Sequence, residues 1–106
     1  MREFDAATLK SYLESCDPAP LLLDVRQPWE YDICKLDNTV LVPMSQIPHK
    51  LDEFDKEQEV VVICHHGIRS RQVGLFLEAS GFANVINLNG GVDGWAKQID
   101  RTMATY

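Results

Sequence analysis

No stretch of the 106-residue sequence stays apolar for long, and its longest apolar runs, such as Val60–Cys64, fall far short of a bilayer span. No membrane association is therefore expected. Basic residues are also scarce. Ten Lys and Arg stand against sixteen Asp and Glu, a formal net charge of −6. They form no cluster, which argues against a nucleic-acid backbone or an anionic membrane surface as partner. Only three cysteines are present, an odd number without the spacing of a disulfide scaffold. Free thiols and a reducing cytoplasm are the expectation. The opening residues MREFDAATLKSYLESC carry acids and no continuous apolar run, so no secretory leader is read there. The sequence has no glycine-rich nucleotide loop and no paired Cys or His spacing, hence no expected cofactor and no expected metal.

What remains is ordinary globular composition, with 45% hydrophobic and 25% charged residues and no repeat or linker. Residues 1–106 are read as a single domain. Asp5 is placed to cap a helix running to Ser15, with Leu9, Tyr12 and Leu13 on one face. Leu21–Val25 reads as a buried strand, Pro28–Lys35 as a short helix with proline in its first turn, and Val40–Val42 as a second strand. Helical turns are expected over Ile47–Phe54, followed by a solvated acidic run. Val60–Ile63, four β-branched residues in succession, is the clearest strand. Ser70–Ser80 has helical spacing at Val73, Phe76 and Leu77 and closes on Gly81. A strand over Asn84–Asn87, a Gly90-Gly91 turn and a helix over Val92–Ile99 with Trp95 inward complete the chain. Such alternation predicts an α/β fold, a mainly parallel central sheet with helices on both faces. Ligands in these folds bind beyond the carboxyl ends of the strands, and Cys64 falls at one such end.

The segment VVVIC-HHGIR-SRQVGLFLE sets that cysteine between a buried strand and a helix start. A thiolate is the reactive form of cysteine and is favoured beside a helix N-terminus and a cation. Backbone N–H groups of a tight loop converge on an anion there. Gly67 permits the turn, Arg69 supplies a permanent charge, and Ser70 is placed to cap the helix or hydrogen-bond the sulfur.

This loop resembles the active-site loop of rhodanese-like domains, through Cys64, Gly67, Arg69 and Ser70. The resemblance runs over nearly the whole chain. LLLDVRQPWEY (Leu21–Tyr31), Val42-Pro43 with Ser45, and Leu88-Asn89-Gly90-Gly91 with Gly94-Trp95 are similar to family segments. The ending, Ile99 to Tyr106, resembles tails of rhodanese domains attached to sulfur-carrier-activating enzymes. Cys34-Lys35-Leu36 stands where the family commonly has Gly-His-Ile, and Asn38 where it has Gly; Asn tolerates the left-handed conformation. The resemblance implies a three-layer rhodanese-like fold and a sulfurtransferase. Cys64 would be the catalytic nucleophile, and His65, His66, Gly67, Ile68, Arg69 and Ser70 would bind substrate. A small sulfur-containing anion or a persulfidated protein would be the donor, and a thiol or cyanide the acceptor.

Other residues carry weaker readings. Asp24 and Arg26 could contact the substrate or pair with each other; the arrangement expected to hold the loop has Asp24 facing Arg69 and Arg26 facing Glu30. His65 and His66 either contact an anionic donor or stand exposed in the turn. Cys34 is either a second thiol for a relay or a bystander, Cys16 has less claim still, and Trp29 and Trp95 are expected as packing anchors. Two competing functions are a non-catalytic rhodanese-like module that binds a protein partner, and a phosphatase or arsenate reductase. Phosphate-binding cysteine loops place five residues between Cys and Arg, whereas this loop has four, His65–Ile68. The tighter cradle argues against phosphate.

Overall fold

A computed structural model describes all 106 residues. Five strands form one sheet: β1 (Arg2–Phe4), β2 (Leu21–Asp24), β3 (Thr39–Leu41), β4 (Val60–Ile63) and β5 (Val85–Leu88). Their order is β1-β5-β4-β2-β3, and every pairing is parallel. Helices α1 (Ala6–Ser15), α2 (Pro28–Ile33), α3 (Ile47–Lys50) and α4 (Ile68–Ala79) connect them, with 3₁₀ turns flanking α3, and α5 (Gly91–Gln98) follows β5.

Local chemistry accounts for most of these boundaries. Asp5 accepts the Thr8 N–H at 2.8 Å and so caps α1. Proline occupies the first turn of α2, where a missing N–H costs nothing. Helix α4 closes on Gly81, with Phe82 N–H donating to Leu77 O and Gly81 N–H to Glu78 O. Asn38 adopts the left-handed conformation, φ 63°.

Alternate residues of the central strands face opposite layers, as the two-residue period of a strand requires. Val60, Val62 and Cys64 pack with Val73 and Leu77 of α4 and Ile47 of α3. Val61 and Ile63 pack on the other side with Leu9 of α1 and Val92 of α5. Both faces are covered, which is why β4 is apolar without alternation.

The structure departs from the sequence reading in several places. Strand β1 was not foreseen; it pairs with β5 at the sheet edge, Glu3 beside Asn87. Helix α4 begins two residues earlier than expected, at Ile68, so its N-cap is Gly67 and not Ser70. Strands β3 and β5 are each displaced by one residue from the expected spans. Phe76 is 40% exposed rather than part of the buried face of α4. Trp29 is 61% exposed and meets Tyr106 edge-on, so it anchors no core. No helix is long and apolar enough to cross a membrane.

Candidate active site

Strand β4 delivers Cys64 to the carboxyl edge of the sheet, and the chain turns at once into α4. Gly67 makes that turn possible. Its φ is 97°, and a Cβ there would meet Gly90 N at 3.0 Å and Leu88 O at 3.1 Å. The turn brings Gly67 N–H to 3.1 Å from Cys64 Sγ, as donor to the sulfur. First-turn amides of a helix have no partner within it, so the sulfur takes one of these otherwise unclaimed donors. The thiol lies 3.3 Å from Ser70 Oγ, a buried hydroxyl on the first turn of α4.

The start of α5 closes the loop from the far side. Val92 N–H donates to Cys64 O at 2.9 Å and Asp93 N–H to His65 O at 3.1 Å. Gly91, with φ 58°, lies so close that a Cβ would sit 2.4 Å from both of those carbonyl oxygens. The glycine pair and the cysteine loop are thus one packed unit.

Beneath the loop, the acid–base pairs are exchanged relative to the favoured arrangement, and Asp24 and Arg26 pair with each other, the alternative to it. Arg69 holds Glu30 with both terminal nitrogens, Nη1 at 2.7 Å and Nη2 at 2.8 Å. Arg26 holds Asp24, with both side chains fully buried. It also reaches Cys34 O at 2.6 Å and Glu30 O at 3.2 Å, tying the end of β2 to the middle and the C-terminal cap of α2. The hydrogen bonds from Arg69 depress the Glu30 carboxyl to about 2, against the opposing effect of burial. Burial works against the Arg26 charge, yet Asp24 and Tyr106 outweigh it and hold the guanidinium above its ordinary value.

Tyr106, absent from the sequence reading of the site, joins these pairs. Its hydroxyl accepts from Arg26 Nη1 at 3.1 Å and donates to Glu30 Oε1 at 3.0 Å. Its ring stacks on His65 at 3.8 Å, and His65 stacks on His66 at 3.9 Å. Burial, with His66 alongside, pushes the His65 imidazole below its usual range. No local motif points to Tyr106, because its partners lie 41 to 80 residues away. Cys34 is buried with its Sγ 3.8 Å from Arg26 Nη1, and all three cysteines are free thiols.

Of the loop residues, Gly67 and Ser70 are buried beside the sulfur and Arg69 is partly exposed above Glu30. His66 and Ile68 stand out in solvent, Ile68 with 69% exposure. An open depression of about 750 Å³ borders the loop at His66, Gly67 and Ile68, with Glu3, Arg71 and Asn89 across from them. Cys64 does not line it and is 1% exposed.

A strand-end cysteine, a glycine turn and a helix start on a five-stranded parallel sheet define an α/β cysteine-loop domain. Residues 5–98 match the model of the Rhodanese-like domain, and the chain belongs to that family. It is 33% identical to a protein named "Sulfurtransferase" from Allochromatium vinosum, over 92% of this chain and 90% of that one. It is 34% identical to "Probable adenylyltransferase/sulfurtransferase MoeZ" from Mycobacterium tuberculosis over 80% of this chain, a match that spans 22% of that longer protein. The crystal structure of a rhodanese-like domain protein from Staphylococcus aureus superposes with a TM-score of 0.82 at 33% identity, covering 90% of this chain and 91% of that one.

Proposed function

We propose that the protein is a sulfurtransferase that carries a sulfane sulfur on Cys64. The observation that supports this most directly is the Gly67 N–H aimed at Cys64 Sγ at the N-terminus of α4. Such a donor favours sulfur in its anionic form. With thiosulfate as donor, the Cys64 thiolate attacks the outer sulfur. A new S–S bond forms, the bond to the sulfonate breaks with its electron pair, and sulfite leaves. The persulfide remains, its charge on the outer sulfur, beside the N-terminus of α4. A thiol, or cyanide in an assay, takes that sulfur and returns the thiolate. Fixed donors placed where charge collects act by electrostatic preorganisation, and the two half-reactions imply ping-pong kinetics. Arg69 acts here already paired with Glu30, which offsets part of its charge. The relatives named sulfurtransferase support the reaction class, and a persulfidated protein is an alternative donor to thiosulfate. A reducing cytoplasm, where Cys64 stays a free thiol, is the compartment this chemistry suits.

A second reading, a non-catalytic module that binds a protein partner, draws on the 1% exposure of Cys64. One experiment separates the two. The protein is treated with thiosulfate, freed of excess and weighed by mass spectrometry. One added sulfur, mapped to the Cys64 peptide and discharged by cyanide as thiocyanate, is the expected result. A chain left unmodified by thiosulfate and by a persulfidated donor alike, or sulfur on Cys16 or Cys34, would defeat the reading.

A further inference from the structure

Behind Cys64 runs a chain of buried polar groups whose hydrogens can be assigned one by one. Cys64 Sγ lies 3.3 Å from Ser70 Oγ, and Ser70 Oγ is hydrogen-bonded to Asn87 Oδ1. Asn87 Nδ2 donates to Glu3 Oε1 at 2.8 Å and to Gly67 O at 3.2 Å. Ser70 is fully buried and Asn87 is 1% exposed, so the Ser70–Asn87 contact is closed to water, while Glu3 stands partly in solvent.

A carboxylate oxygen and a peptide oxygen only accept hydrogen bonds. The two together require the NH₂ end of Asn87 to face them, since a flipped amide would set Oδ1 against both. Asn87 Oδ1 must then face Ser70. A serine hydroxyl has a single hydrogen, and Asn87 takes it. What Ser70 presents to Cys64 is a lone pair, able to accept from S–H and unable to donate to S⁻.

We propose that Asn87 is a positioning residue that fixes Ser70 as an acceptor and thereby opposes ionisation of Cys64, as a counterweight to the Gly67 N–H. The proposal rests on the reading of Cys64 as the sulfur carrier. In the persulfide the charge moves to the outer sulfur and Sγ no longer needs a donor. The orientation of Ser70 therefore favours the protonated resting thiol and opposes the charge on Sγ, most strongly in the free thiolate, where the whole charge sits on that atom.

The test is the rate of iodoacetamide alkylation at Cys64 in the full-length protein near neutral pH, read from the Cys64 peptide by mass spectrometry. Ser70→Ala should raise that rate by about threefold, the effect of losing one neutral hydrogen bond to S–H. Asn87→Ala should raise it by about tenfold, because Ser70 can then turn its hydrogen toward the sulfur. In the Ser70→Ala background, Asn87→Ala should add nothing further. An equal increment in both backgrounds would mark Asn87 as merely structural and overturn the proposal. Should Asn87→Ala fail to fold, Ser70→Ala decides alone: slower alkylation would mean that Ser70 donates to the thiolate. Sulfur loading is measured separately, so a protein that alkylates as described yet accepts no sulfane sulfur would refute the sulfurtransferase reading and leave this one standing.

Discussion

Glu30 clasps Arg69 through two parallel hydrogen bonds, Oε2 to Nη1 at 2.7 Å and Oε1 to Nη2 at 2.8 Å. The pair joins the short helix after β2 to the helix after the cysteine loop, across 39 residues of sequence. It holds the loop from below, and its charge state follows pH. The Glu30 carboxyl lies at about 2 in the folded protein against an ordinary 4.5. A depressed carboxyl stabilises the fold above its unfolded value, and that contribution is lost as pH falls from 4.5 towards 2. The shift corresponds to roughly 3 kcal/mol. Urea unfolding of the native protein and Glu30→Gln should show the variant less stable by about 1–3 kcal/mol near neutral pH, with the gap closing in acid. A gap of constant size would show that the ionised pair contributes nothing.

Cys64→Ser should abolish sulfur transfer with little change in stability, because oxygen replaces sulfur in nearly the same volume. Cys16→Ser and Cys34→Ser should remain active. Thiocyanate formation on the three variants measures this. A large loss in Cys34→Ser, with its fold intact by circular dichroism, would instead make Cys34 part of a two-thiol relay.

Gly91→Ala and Gly94→Ala should part company. The first puts a Cβ 2.4 Å from the carbonyl oxygens of Cys64 and His65, while the second meets nothing within 4 Å. Gly91→Ala should cost on the order of 2 kcal/mol or more and distort the loop. Gly94→Ala should be neutral or stabilise α5 by about 0.5–1 kcal/mol. Thermal melts, each paired with an activity measurement, read both. Equal melting of the two variants would contradict the packing of α5 against the loop.

Tyr106→Phe keeps the ring against His65 and removes the hydroxyl between Arg26 and Glu30. The expected loss is about 1 kcal/mol. Tyr106→Ala also removes the stacking and should lose about 1 kcal/mol more. Chemical denaturation distinguishes the two steps, and a phenylalanine variant as damaged as the alanine one would assign the whole effect to the hydroxyl.

One residue inserted between Gly67 and Arg69 should weaken thiocyanate formation by about a hundredfold, since misplacement of the donors by about 1 Å suffices for that. Aryl phosphate hydrolysis is the companion measurement. Full sulfurtransferase activity in the insertion variant would remove loop length as the reason to set the phosphatase reading aside.

Much of this architecture is legible in the sequence because it is written locally. Asp5 three residues before Thr8, the run Val60–Ile63, and Gly81 after a helical repeat each specify their structure within a few positions. Strand β1 is different. It has three residues, and its only sheet partner is β5, more than 80 residues on. The acid–base pairing escapes the sequence for a related reason. Asp24, Arg26, Glu30 and Arg69 are all visible as a group, but which carboxylate meets which guanidinium depends on where α2 lays Glu30. Trp29 misleads because indole bulk suggests a core, whereas the outer face of α2 leaves it in solvent.

The close approach of Gly91 to the backbone of Cys64 and His65 bears on how such a site could be moved between proteins. Residues 64–70 copied into a foreign strand–helix junction would arrive without the surface they are moulded on. A working transplant must bring the β5–α5 corner with it, a discontinuous graft whose two pieces are separated by 20 residues of sequence, from Ser70 to Gly91.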